Sequence, residues 1–181
     1  MVEPTGPGHW MFMQLPITLT EIGPRVSAGA FILNSGLGKR QADDNTAAQL
    51  HGFAAGTYPF LQNLEPKQFV KVLSATEIAI GATLLAPVVP AAVAGAVLTG
   101  FSAGLLGLYL RTPGMRKPGS LAPTEQGLAI AKDVWLLGIG VGLFGYGTLD
   151  RRAHRSQTAL ALERAKKTAR KRAKKARRAI S

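Results

Sequence analysis

The chain contains no cysteine and only three histidines in 181 residues. The lack of cysteine excludes a disulfide scaffold, a thiolate-bound metal or iron–sulfur cluster, and thiol redox chemistry by the chain itself. The three histidines, His9, His51 and His154, lie far apart in the sequence, which argues against a histidine-based metal site. We therefore predict no metal centre and no resident cofactor, with a quinone as the one small molecule left open.

Acidic residues are also scarce, and the resulting positive charge is unevenly placed. The chain has 22 Lys and Arg against 10 Asp and Glu, a net charge of +12. Residues 150–181 hold 13 of the basic residues and two of the acids, so this segment carries +11 and leaves +1 for residues 1–149. The pattern predicts a nearly neutral apolar body followed by a basic tail. We expect residues 1–16 to be a leader, and they lack the basic start and cleavage pattern of a signal peptide.

The apolar body contains long stretches with few charges. Residues 88–110 have no charged side chain, and 23 helical residues extend for about 34 Å, enough to cross a hydrocarbon core of about 30 Å. Three weaker stretches predict three more crossings, at residues 17–37, 69–86 and 128–149. The predicted fold class is all-α, a four-transmembrane-helix bundle with a basic, partly helical C-terminal tail.

The placement of basic residues predicts the orientation of this bundle. Six Lys and Arg lie between Arg151 and Lys167, close to the last crossing, and basic residues near a crossing favour the cytoplasmic side. We expect both termini in the cytoplasm, a multi-pass protein of the plasma (inner) membrane, and external loops at residues 41–66 and 112–127.

Three short motifs resemble the DoxX-like family of membrane proteins. They are RVSAGAFILNSGLGK at residues 25–39, EIAIGATLL at residues 77–85 and KDVWLLG at residues 132–138. The resemblance covers about residues 25–149 and implies a four-helix membrane bundle. It also implies association with quinone-linked or terminal-oxidase complexes, or with oxidative-stress assemblies. The long first loop and the basic tail are not features of that family.

Ionisable side chains inside the predicted crossings are the candidate functional groups, since such residues are costly in lipid and usually face the bundle interior. The topology allows two pairs, Arg25 with Glu77 and Lys39 with Asp133. One interpretation is a polar site for a quinone head group, a proton path or a small polar ligand. The other is a set of structural ion pairs that fix the helix register.

Two pairs of glycines show the four-residue spacing of close helix packing in membranes. They are Gly100 with Gly104, and Gly138 with Gly142. We expect packing within the bundle, while packing between protomers remains the alternative.

The basic tail has three possible roles: to fix topology, to bind anionic lipid or an acidic partner, or to bind nucleic acid through phosphates. Aromatic residues are absent after Tyr146, which argues against base stacking and makes nucleic acid the least supported partner. The candidate binding residues are Arg164, Lys166, Lys167, Arg170, Lys171, Arg172, Lys174, Lys175, Arg177 and Arg178.

These observations leave two functions of different kinds. The first is an accessory or structural membrane subunit that docks partners at a respiratory or redox complex. The second is a small membrane enzyme or carrier that binds a quinone near Arg25 and Glu77. The lack of a redox-active side chain within the crossings favours the first.

Overall fold

The described part of the chain is all-helical, as predicted. A computed structural model describes residues 17–180, without the side chains of residues 154, 155 and 170–180; the predicted leader lies outside these residues. The elements are α1 (Leu19–Lys39), α2 (Asp44–Thr57), a 3-10 turn (Pro59–Leu61), α3 (Pro66–Leu85), α4 (Ala91–Arg111), α5 (Glu125–Ala131) and α6 (Val134–Ile180).

Local sequence signals explain where the main helices begin. Before α1, the Thr18 backbone N–H donates to Glu21 Oε1 at 3.4 Å, so a side chain of the first turn caps the helix. The first residue of α3 is Pro66, whose missing N–H would have no partner inside the helix at that position. Pro90 directly precedes α4 and ends the short turn after α3.

The long helices form two closely packed antiparallel pairs, α1 with α3 and α4 with α6. Glycines permit the close approach. A Cβ added to Gly81 of α3 would lie 2.8 Å from the Leu33 backbone nitrogen of α1, and one added to Gly140 of α6 would lie 2.7 Å from the Thr99 nitrogen of α4. The two pairs touch each other less extensively than the helices within each pair.

A single apolar core joins the two pairs. Each of the four long helices contributes two buried residues to it, which are Ala28, Ile32, Ile80, Leu84, Ala94, Leu98, Leu136 and Leu143. Although contact between the pairs is limited, this shared core makes them one bundle.

Within residues 17–180, three helical stretches are long and apolar enough to cross a membrane: Pro66–Leu85, Ala91–Arg111 and Glu125–Ala169. Only 22–39% of their most apolar windows is buried inside the protein, so most of this apolar surface faces outwards, as expected in lipid. The prediction of a membrane protein is thus supported. α1 is 21 residues long but does not reach the same apolarity, so a fourth crossing stays a prediction.

The last predicted crossing has different boundaries in the structure. α5 and α6 are separated at Lys132 and Asp133, inside the predicted span of residues 128–149. α6 then has 47 residues, a length of about 70 Å, and does not end at residue 149. It extends into the basic segment because no glycine or proline follows Gly147 and alanine, leucine, lysine and arginine favour helix.

Candidate functional site

The buried charges form two ion pairs that differ from the predicted ones. Arg25 Nε lies 3.2 Å from Glu21 Oε2 within α1, and Lys39 Nζ lies 2.9 Å from Glu77 Oε2 across α1 and α3. The predicted pairs, Arg25 with Glu77 and Lys39 with Asp133, are therefore wrong.

The register between α1 and α3 explains the correction. Gly36 packs directly on Glu77, since a Cβ added to Gly36 would lie 2.9 Å from the Glu77 Cβ. Arg25 precedes Gly36 by 11 residues, a separation of about 16 Å along the helix. Arg25 thus lies at the level of the α3–α4 turn, near one end of the bundle, and does not share a site with Glu77.

Arg25 connects the start of α1 to the end of α3. Its Nη1 donates to the Ala86 carbonyl at 3.3 Å and its Nη2 donates to the Val89 carbonyl at 2.7 Å. Carbonyls at the end of a helix lack partners within the helix, and a cation there also interacts favourably with the helix dipole. Glu21 is neutralised by Arg25 and also accepts from the Thr18 hydroxyl at 3.1 Å.

Lys39 and Glu77 make a second connection toward the opposite end of α1. Besides the ion pair, Lys39 Nζ donates to Ser35 Oγ at 2.6 Å, and Ser74 Oγ donates to the Gly36 carbonyl at 2.7 Å. The Glu77 side chain is only 6% exposed while the Lys39 side chain is 21% exposed, so Lys39 supplies the charge that allows a buried carboxylate.

Asp133, the predicted partner of Lys39, lies instead at a cavity of about 380 Å³ that is also lined by Lys132, Trp135 and Phe31. A neighbouring, mostly apolar cavity of about 570 Å³ lies between α1 and α6. Its lining includes Glu21, Trp135 and Tyr146. These cavities open between the two helix pairs, where packing is least extensive.

A third cavity of about 800 Å³, larger than the other two, lies between α1, α2 and α3. Four basic residues line it, namely Lys39, Arg40, Lys67 and Lys71, together with one acid, Asp44. Of these residues, only Lys39 is among the candidates that the sequence predicts. A partial signal was present, because Lys67 and Lys71 are four residues apart and so lie on one face of a helix.

The four glycines predicted to pack helices do not do so within the bundle. A Cβ added to Gly100, Gly104, Gly138 or Gly142 would meet no atom within 4 Å. The packed glycines of α4 and α6 are Gly95, Gly140 and Gly147, where an added Cβ would collide with the partner helix. Gly100 and Gly104 are exposed on α4, whereas Gly138 and Gly142 line the 570 Å³ cavity between α1 and α6.

Of the predicted tail residues, Arg164, Lys166 and Lys167 are exposed on α6. Lys166 Nζ lies 3.8 Å from Glu163 Oε1, an exposed contact of little energetic weight. The remaining seven candidates lie outside the described side chains: Arg170, Lys171, Arg172, Lys174, Lys175, Arg177 and Arg178.

Among the side chains that the structure describes, no group of three or more His, Cys, Asp or Glu could hold a metal ion. Comparison with known protein families, curated proteins and solved structures finds no match to the chain. The family resemblance therefore stays a prediction, and the geometry of the buried charges is the main guide to function.

Proposed function

We propose that the chain is an accessory, structural subunit of a membrane complex. The observation that carries this proposal is that the buried charged side chains bind other parts of the same bundle. Arg25 binds Glu21 and two carbonyls of the α3–α4 turn, and Lys39 binds Glu77. Both sets hold helices together, and in each the buried acid lies within 3.2 Å of a basic side chain.

The proposed arrangement has four crossings, with both termini in the cytoplasm at the plasma (inner) membrane. α1 supports the fourth crossing, because it runs antiparallel to α3 along most of its length and contributes Ala28 and Ile32 to the common core. Its charges would enter the membrane already paired, which lowers the cost of burying them. The basic residues after residue 150 support the orientation.

The proposed partners are other subunits of a respiratory or redox complex. Support comes from the resemblance of three motifs to DoxX-like proteins and from the exposed Gly100 and Gly104 of α4, which leave room for another helix. The tail would bind anionic lipid headgroups or an acidic partner.

A second candidate is a small quinone-binding enzyme or carrier. Arg25 and Glu77 do not meet, so this function would use the 570 Å³ cavity between α1 and α6. Trp135 and Tyr146 offer aromatic surface there, and Glu21 is one polar group in a mainly apolar lining. Glu21 is already paired with Arg25, which favours the structural role.

Purification of the full chain in a mild detergent, followed by native mass spectrometry, tests the choice. We expect stoichiometric recovery with subunits of one membrane complex, together with loss of that complex from native gels when the chain is deleted. A stoichiometric quinone with no protein partner would favour the second candidate and contradict the first.

A further inference from the structure

The 800 Å³ cavity between α1, α2 and α3 has a charged rim. Lys39 and Arg40 reach it from the end of α1, and Lys67 and Lys71 reach it from the first turns of α3. Lys67 Nζ pairs with Asp44 Oδ1 at 2.9 Å, and Lys39 pairs with Glu77. Arg40 and Lys71 are exposed and form no ion pair with another described residue. The rim therefore offers two uncompensated positive charges beside two compensated ones.

Below this rim the cavity becomes apolar. Its wall on α3 continues from Lys71 through Ala75, Ile78 and Ala79 to Ala82. These residues follow one face of the helix, and the small side chains of its three alanines leave a shallow groove. From Lys71 to Ala82 the groove extends for about 16 Å, close to half of a hydrocarbon core of about 30 Å. A cationic end followed by one leaflet's depth of apolar surface matches the shape and polarity of a phospholipid.

The geometry points to a binding site for one anionic phospholipid, with its phosphate at the rim and one acyl chain along the α3 groove. Arg40 and Lys71 supply the attraction for the phosphate, and Ala79 and Ala82 supply the surface for the chain. This site lies at the end of the bundle opposite the basic tail, because α6 runs antiparallel to α4 and leaves the bundle beside the α3–α4 turn. It requires the chain to be in a membrane but is independent of which protein complex it joins.

Binding is measured on the full chain in a zwitterionic detergent, by native mass spectrometry with phosphatidylglycerol or phosphatidylcholine. We expect one phosphatidylglycerol to be retained at concentrations where phosphatidylcholine is not. Each basic residue near a lipid surface contributes about fivefold to binding, so R40Q/K71Q should weaken phosphatidylglycerol binding about 25-fold. The matched control R111Q/K117Q removes two exposed cations at the same end of the bundle, outside the groove, and should leave binding unchanged.

Two further variants keep the test independent of overall charge. Ala79→Leu fills the groove and should weaken lipid binding while leaving any binding of inorganic phosphate as it was. Deletion of residues 164–181 should leave the retained lipid in place. The site would be overturned if R40Q/K71Q and R111Q/K117Q weakened lipid binding equally. It would also be overturned if deletion of the tail removed the lipid, or if inorganic phosphate bound as strongly as the lipid.

Discussion

Lys39 of α1 lies 2.9 Å from Glu77 of α3, and this pair joins the two helices where Gly36 brings their backbones close together. The two partners are not equally buried: the Glu77 side chain is 6% exposed and that of Lys39 is 21% exposed. Loss of one partner should therefore have a different effect from loss of the other.

The first prediction uses this asymmetry. Lys39→Met leaves a buried carboxylate unpaired and should destabilise the protein by about 3–5 kcal/mol. Glu77→Leu should cost less, because the ammonium of Lys39 can still reach water. The double variant should recover most of the loss when unfolding is followed by circular dichroism in detergent. Additive losses of stability in the double variant would mean that the pair does not form. Lys67→Met is the control, because it removes only an exposed pair with Asp44 and should change the free energy of unfolding by less than about 1 kcal/mol.

The second prediction concerns Arg25. Arg25→Met removes the donors to the Ala86 and Val89 carbonyls and leaves Glu21 buried without a cation, at a cost of about 3–5 kcal/mol. Arg25→Lys should restore only part of this, since one ammonium cannot reproduce the planar geometry of the guanidinium. Combined with Glu77→Leu, Arg25→Met should give additive losses, because the two sites are well separated. Recovery in that double variant would show that the register of α1 on α3 is wrong.

The third prediction compares two glycines of α4. A side chain at Gly95 would collide with the α6 backbone at Phe144, whereas one at Gly100 would meet nothing within 4 Å. Gly95→Ala should therefore destabilise the bundle by about 1–3 kcal/mol. Gly100→Ala should be neutral or stabilise it by up to about 1 kcal/mol, because alanine favours helix. A similar thermal shift for both variants would contradict the packing of α4 against α6.

The fourth prediction concerns topology. The chain has no cysteine, so a single introduced thiol reports its location without background. The exposed positions Gln49 of α2 and Ser120 of the α4–α5 loop should, as cysteines, react with an impermeant maleimide in whole cells. Gln157→Cys on α6 should react only after permeabilisation. Labelling of Gln157→Cys from outside would exclude the proposed orientation.

The fifth prediction concerns the tail. Deletion of residues 164–181 should leave the melting temperature of the bundle unchanged, since Arg164, Lys166 and Lys167 are exposed. It should weaken binding of the detergent-solubilised protein to added anionic vesicles, most strongly at low salt, because salt screens exposed charges. If the truncated protein still binds anionic vesicles as well as the full chain at low salt, the tail is not the source of the attraction.

Several features of the fold could be predicted from the sequence because single residues determine them. The uncharged run at residues 88–110 predicts α4 to within three residues at its start, and Pro90 gives the physical reason for the difference, because the helix begins directly after it. Pro66 likewise explains why α3 starts before the predicted residue 69. Such signals are local, and they do not depend on how helices face each other.

The partners of the buried charges could not be predicted in this way. A slide of one helical turn, about 5.4 Å, changes which acid faces Lys39, and the register is set by the close approach of Gly36 and Gly81 to the neighbouring helix. The same limit applies to Gly100 and Gly104, whose spacing fits a packing motif although α4 turns its Gly95 face to α6. Spacing along one helix does not specify which side meets the next one.

The uninterrupted length of α6 determines how far the tail's charge lies from the lipid. From Asp150, where the predicted crossing ends, a straight helix places Arg164 about 21 Å and Ile180 about 45 Å away. At physiological ionic strength electrostatic attraction decays over about 8 Å. An upright helix would therefore hold most of this charge beyond the electrostatic reach of its own bilayer, and of the two proposed roles it would favour binding an acidic partner over binding the adjacent headgroups.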